Sequence, residues 1–213
     1  MQSIPGAPAS VCLGASFTYH FPSKRMYAYT HGLASINYDR FARIIFKGAA
    51  SASAFLIPSI IIQLNLEERL RALNSWHDKI YWNERKLGIR FDHHDNPDLA
   101  SIDYTKLSKD LNAANTDFAY VRWSCKTTVR QLDFLDDVAG RYYMQAVKFG
   151  SAEDDAGEIK YLLLETHAQL RSWNAGLDDR AEYLLKRVQA LVQTVRERST
   201  SSILSDNRRF TVA

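Results

Sequence analysis

Large apolar residues recur along most of this chain at the spacing of a helix with one buried edge. Tyr104, Leu107, Leu111, Ala114, Phe118, Val121, Cys125, Thr128, Leu132, Leu135, Ala139 and Tyr142 follow one another at intervals of three and four without a slip. That pattern predicts one long helix with a narrow apolar seam, roughly 58 Å of it at 1.5 Å per residue. A helix of that length cannot bury its stripe on itself, so it must lie against other helices.

Two further helices frame it. Leu66, Leu73, Ile80 and Leu87 recur at strict sevens, widened by Ile62, Leu70 and Trp76. They predict a helix over about 58–87, with Pro58 in its opening turn and Gly88 as its stop. The central helix is expected over about 101–148, capped by Ser101 or Asp103. The third, over about 158–198, has the seam Ile159, Leu163, Thr166, Leu170, Trp173, Leu177, Leu184, Val188, Leu191 and Val195, with Arg180 interrupting it. Between the helices lie a polar loop, Asp92 to Pro97, and an acidic, glycine-bounded one, Gly150 to Gly157. The second loop is short, so the second and third helices are expected to pack as an antiparallel hairpin.

Residues 1–57 lack this periodicity and are rich in Ser, Ala, Gly and aromatics. Phe17 to Phe21 alternates as a strand does, and Phe41 to Phe46 reads as a second short strand. The predicted class is therefore mainly α: three long helices with a coiled-coil-like hairpin, plus a small irregular or short-stranded N-terminal segment. The expected organisation is 1–57 as the remnant of an α/β unit, 58–198 as the long-helix domain and 199–213 as a frayed tail. Gly48 to Leu64 is apolar enough to suggest a membrane span. It is only 17 residues long and carries Ser51, Ser53, Ser59, Pro58 and Gln63, where a span needs about 20 apolar residues. A buried helix start is the better reading.

Composition adds limits more than functions. Hydrophobic content of 46% and charged content of 24% in 213 residues suit a folded domain, and a net charge of +3 gives no case for nucleic acid. Charge is uneven, however: Lys186, Arg187, Arg196, Arg198, Arg208 and Arg209 face only Glu197 and Asp206. Such an end suits a membrane surface, an acidic partner, or simply a solvated helix face. Cys12 and Cys125 give no disulfide framework, and Cys125 lies on the apolar seam, which fits a reducing compartment.

Candidate chemistry is thin. Asp92, His93, His94 and Asp95, with His77 one helix back, have the side-chain types of metal ligands. Of these, His93, His94 and Asp95 are the weak candidates for a metal site. Adjacent histidines in a loop point apart and no third partner has ligand spacing, so a solvated turn is expected instead. Glu153, Asp154 and Asp155 read as a solvated connector. No phosphate loop, CxxC pair, HExxH or nucleophile elbow is present, and no catalytic triad can be assembled from the isolated Ser, His and Asp residues. Trp76, Trp82, Trp123 and Trp173 read as packing residues. No catalytic or cofactor-binding residue is assigned, and no enzyme is expected.

Two stretches carry a family resemblance. Ala15 to Ser23 with Thr30-His31-Gly32-Leu33 is one, and the other is Leu56 to Ile62 running into the heptad helix that closes with Glu84-Arg85-Lys86-Leu87-Gly88. With the two long helices that follow, the order over 15–213 resembles the CorA-like divalent-cation (Mg2+/Zn2+) transporters, in the divergent branch common in filamentous fungi. The resemblance implies a cytosolic α/β domain with long helices, pentameric assembly, and Mg2+ as the associated ion. The pore of that family needs two membrane spans and a Gly-Met-Asn signature, and this sequence has neither. It therefore resembles the cytosolic part alone, a truncated or stand-alone form without transport competence. The expected function is a non-catalytic cytosolic helical domain of this kind. The alternative is a coiled-coil interaction or scaffold protein unrelated to transport. Expected partners are further copies of the chain, or a membrane partner, met through the heptad helices. No nucleic acid and no small-molecule substrate are expected. The expected location is the cytoplasm, including the cytoplasmic face of a membrane, since full-length relatives would be integral membrane proteins.

Overall fold

A computed structural model describes residues 14–31, 39, 42–44, 54–90 and 101–210, with side chains described as far as Thr200. The protein is mainly helical, with a small two-stranded antiparallel sheet near its N-terminus. Strands β1 (Gly14–His20) and β2 (Arg25–His31) pair with Phe17 opposite Ala28 and Tyr19 opposite Met26. The turn between them closes with the Lys24 amide donating to the Phe21 carbonyl at 3.2 Å. A 3-10 turn (Ala54–Leu56) leads into α1 (Ile57–Lys86), followed by α2 (Tyr104–Lys148) and α3 (Glu153–Phe210). The last two form a long helical hairpin.

The caps explain where these helices stop. At Gly88, with φ of 62°, the glycine amide reaches the Arg85 carbonyl and the Ile89 amide reaches that of Glu84. Gly150, at φ 85°, repeats the arrangement on Val147 and Ala146. Both are left-handed C-terminal turns that glycine adopts without a Cβ penalty. Of the two caps open for α2, Asp103 is the one used: its carboxylate accepts from the Lys106 amide at 2.9 Å.

Four features differ from the sequence expectation. The partner strand is Arg25–His31, whereas the described residues 42–44 of the expected Phe41–Phe46 strand are helical. Both faces of β2 carry aromatic or apolar side chains, so it lacks a clear polar alternation. Helix α3 begins at Glu153, five residues early, because Glu153, Asp154 and Asp155 occupy its first turn and complement the positive end of the helix dipole. The backbone of α3 also continues to Phe210 through most of the expected frayed tail. Finally, the seam of α3 has a different phase, as described below.

Contacts group the chain into two compact units: Met1–Arg69 with Lys126–Gly176, and Leu70–Cys125 with Leu177–Ala213. Each draws a segment from all three helices, unlike the sequential division 1–57, 58–198 and 199–213. In the first unit Leu66, Leu132, Leu163 and Leu170 are buried, and α1 also buries a second side. Ile61 and Leu64 pack with Phe17, Ile44, Ile57 and Ile60. That two-sided burial accounts for the apolar run before Leu64, and among the described residues no helix is long and apolar enough to cross a membrane. The sheet is fastened by aromatics: Phe21 stacks on Tyr142 at 6.0 Å and on Phe149 at 5.6 Å, and Tyr19 meets Phe55 at 4.8 Å. In the second unit Leu73, Ile80, Leu87, Leu111, Phe118, Cys125, Leu184 and Val188 form the core.

Candidate functional site

The first unit holds a polar junction built from all three helices. Buried positions on α3 run Leu163, His167, Leu170, Asn174, Leu177, Ala181, Leu184, Val188, Leu191, Val195, again at intervals of four and three. Two of them are polar. His167 takes the core place expected for Thr166, and Asn174 that expected for Trp173, which are only partly buried. A buried imidazole needs partners for both nitrogens, and it has them. Nδ1 lies 2.7 Å from Asp136 Oδ1 on α2, and Nε2 lies 3.1 Å from Ser59 Oγ on α1. The carboxylate accepts from Nδ1–H, and Nε2 shares a hydrogen bond with the Ser59 hydroxyl.

Asp136 is held from a second side. Arg171, one turn along α3 from His167, donates to Asp136 Oδ2 at 2.6 Å and to Asp133 at 2.8 Å. The Asp133 hydrogen bond, assisted by Asp136 and opposed by burial, raises the Arg171 guanidinium above its ordinary value. A second layer lies in the same unit, where Arg69 donates to Thr128 Oγ1 at 2.8 Å and to Asn174 Oδ1 at 3.3 Å. At the edge of the unit Tyr143 donates to Glu153 at 2.8 Å, a hydrogen bond that pushes its phenol upward. Burial, and then the neighbouring Tyr19, pushes the Tyr142 phenol in the same direction.

Ser59, His167 and Asp136 have the atoms and order of a nucleophile, a base and an orienting carboxylate. Access distinguishes them from a working relay. Ser59 is 2% exposed and His167 1% exposed, so the hydroxyl has packed side chains where an acyl group would need to sit. The geometry instead satisfies a polar core: every partner lies on a different helix, which fixes the rotation and register of all three.

The second unit uses charges at its surface and helix ends. Trp76 donates to Asp117 at 3.0 Å and packs edge-on against Phe118. Arg122 pairs with Asp178 and Glu182, and Lys186 adds a bond to Glu182 at 2.8 Å. The Lys186 hydrogen bond, then its charge and that of Arg122, holds the Glu182 carboxyl below its ordinary value. Glu84 accepts from Arg187 at 2.8 Å and from Arg90 at 3.3 Å, and the Glu84 hydrogen bond raises the Arg187 guanidinium. Arg198 donates to the Leu87 carbonyl at 2.7 Å, closing the end of α1.

The metal candidates His93, His94 and Asp95, and Asp92 beside them, lie outside the described residues. His77 is on α1, partly exposed, 3.6 Å from Asp78. Glu153, Asp154 and Asp155 form a helix start rather than a connector. Among the described residues no group of three or more His, Cys, Asp or Glu side chains converges as a metal site would require. Of the tryptophans, Trp76 packs as expected, whereas Trp82 and Trp123 are exposed.

The residues that sequence reasoning passed over are Ser59, His167, Asp136 and Asn174. His167 and Asn174 carried a signal, since admitting them restores an unbroken three-four pattern from Leu163 to Val195. Comparison with protein-family models, curated proteins and solved structures gives no match to this chain.

Proposed function

We propose that this chain is a non-catalytic helical association domain that works by packing its helices against further copies of itself. The observation that carries the reading is a second apolar series on α2, facing outward. In the second unit Tyr120 and Trp123 are exposed, and in the first Phe134 and Met144 are exposed. Tyr120 and Phe134 fall two places after the core positions Phe118 and Leu132, while Trp123 and Met144 fall five places after Phe118 and Ala139. These are the outer places of the same heptad frame. Tyr120 and Trp123 pack on each other at 5.8 Å and still present exposed surface, and large apolar side chains at outward places mark an association face more than a solvated one. Burial of Ser59 and His167 supports the non-catalytic part of the reading, since their hydrogen bonds are made inside the core.

A second reading joins this assembly to the CorA-like transporters, with the chain as a cytosol-facing part that does not conduct ions alone. It is favoured by the order of elements, in which β1 covers Ala15 to His20 within the first resembling stretch and α1 covers Ile57 to Lys86 of the second. Sedimentation of the purified chain across micromolar to submillimolar concentrations tests both readings. Association that weakens in Trp123→Asp or Phe134→Asp supports the first, and an added dependence on Mg2+ supports the second. A monomer at every concentration, or association indifferent to both substitutions, overturns the assembly reading.

A further inference from the structure

Helix α2 is unbroken from Tyr104 to Lys148, so residues three and four apart along it share a face. The outward apolar residues Tyr120, Trp123, Phe134 and Met144 are joined there by Thr127, Arg130, Asp137 and Arg141. Together they follow one another at intervals of three and four, a second seam opposite the buried one. The charges along this side of the helix divide into two sets. Arg122 is taken by Asp178 and Glu182, and Asp133 by Arg171. Lys126, Arg130, Asp137 and Arg141 are exposed, and among the described residues no ion pair engages them. In chain order these four read basic, basic, acidic, basic.

We infer, on the reading that this chain self-associates, that a second copy lies antiparallel along this face, with the two α2 helices related by a twofold axis level with Leu132. In that register the outer places pair among themselves with none left over. Tyr120 meets the partner's Met144, Trp123 the partner's Arg141, Thr127 the partner's Asp137 and Arg130 the partner's Phe134. The first is an aromatic–thioether contact, and the second and fourth set a guanidinium against a ring. The partner's Asp137, level with Thr127, falls between Lys126 and Arg130, and the twofold axis repeats the contact. Lys126 also comes within a turn of the partner's Arg141, an approach offset by Asp137 four residues before Arg141 on the same helix. Other arrangements lose the match. Parallel copies in register place Arg130, Asp137 and Arg141 each against itself. Sliding the antiparallel pair by a heptad sets Arg130 against the partner's Arg141 in one direction and beside the partner's Lys126 in the other. A twofold contact uses one patch on both copies and closes at two, whereas a ring needs two different patches.

The test is pulsed electron–electron spin resonance on the full chain in a Cys12→Ser background, with a spin label at Gln131→Cys or at Lys148→Cys. Both sites are exposed, and the native Cys125 is buried away from the label. Antiparallel pairing at 1.5 Å per residue brings the Gln131 labels within about 20 Å and holds the Lys148 labels about 48 Å apart along the axis. Parallel pairing gives two similar short distances instead. In sedimentation, Arg130→Asp and Asp137→Arg should each weaken association about tenfold, and the combined swap Arg130→Asp/Asp137→Arg should restore most of it, because opposite charges again face each other. Unchanged far-UV circular dichroism of these exposed-site variants separates lost pairing from lost folding. Similar distances at the two sites, assembly beyond two copies, full association by the single reversals, or no recovery in the swap would each overturn the antiparallel pair while leaving self-association standing. A monomer at every concentration would overturn both.

Discussion

Replacing His167 by Leu isolates the polar junction from the packing around it. Leucine fills most of the space of the imidazole, so the cavity contribution is small, but it breaks two hydrogen bonds. One is the bond to Asp136, a charged acceptor, for which mutational series give about 1.5–3 kcal/mol. Asp136 keeps Arg171 and is partly solvated, so the lower end applies. The other leaves the Ser59 hydroxyl buried without a partner, at about 1–3 kcal/mol. The expected loss for His167→Leu is therefore about 3 kcal/mol, which for a domain of this size is a fall in Tm of roughly 6–12 °C. The informative variant is Ser59→Ala/His167→Leu, because it removes the orphaned hydroxyl and should recover about 1–2 kcal/mol of that loss. Urea denaturation followed by circular dichroism, with equal m-values, measures both. A single variant as stable as the parent, or a double variant no better than the single, would refute the junction.

Further outcomes follow from the same packing. Leu132→Asp places an unpaired charge among buried apolar side chains and should cost about 3 kcal/mol or more, read as a large drop in the denaturation midpoint. Gly88→Ala must hold alanine at a φ of 62° and should cost about 1 kcal/mol by the same assay. Glu182 has a depressed carboxyl, so its contribution is present above the ordinary carboxylate range and is lost as pH falls through its folded value. Thermal melts should accordingly show a smaller acid-induced decrease in Glu182→Gln than in the parent, and an identical pH dependence would contradict the Arg122 and Lys186 pairing.

Legibility in the sequence varied with the chemistry of each seam. On α2 every expected seam position is buried or partly buried, because apolar and aromatic side chains mark its inner edge and the one polar exception, Thr128, is small. On α3 the rule that inner positions avoid polar side chains favours Thr166 over His167 and Trp173 over Asn174, and the phase so set puts Arg180 on the seam in place of the buried Ala181. Buried polar groups violate that rule wherever partners exist, and the partners of His167 are 31 and 108 residues away. No local pattern links Ser59 to His167 until three helices are placed side by side. The acidic run at Glu153 is ambiguous for a different reason: flanking glycines suggest a loop, while three carboxylates in a first helical turn are a start signal. The outward series on α2 was visible as residue types, but only burial distinguishes an exposed Trp123 from a packed Trp76.

Amide hydrogen exchange across α2 tests the helix pairing most directly. An unbroken seam packed along its whole length predicts continuous slow exchange from Leu107 to Ala146, with the slowest amides beside Phe118, Cys125, Thr128 and Leu132. A fast-exchanging break inside that span, or protection no greater than at the helix ends, would contradict it.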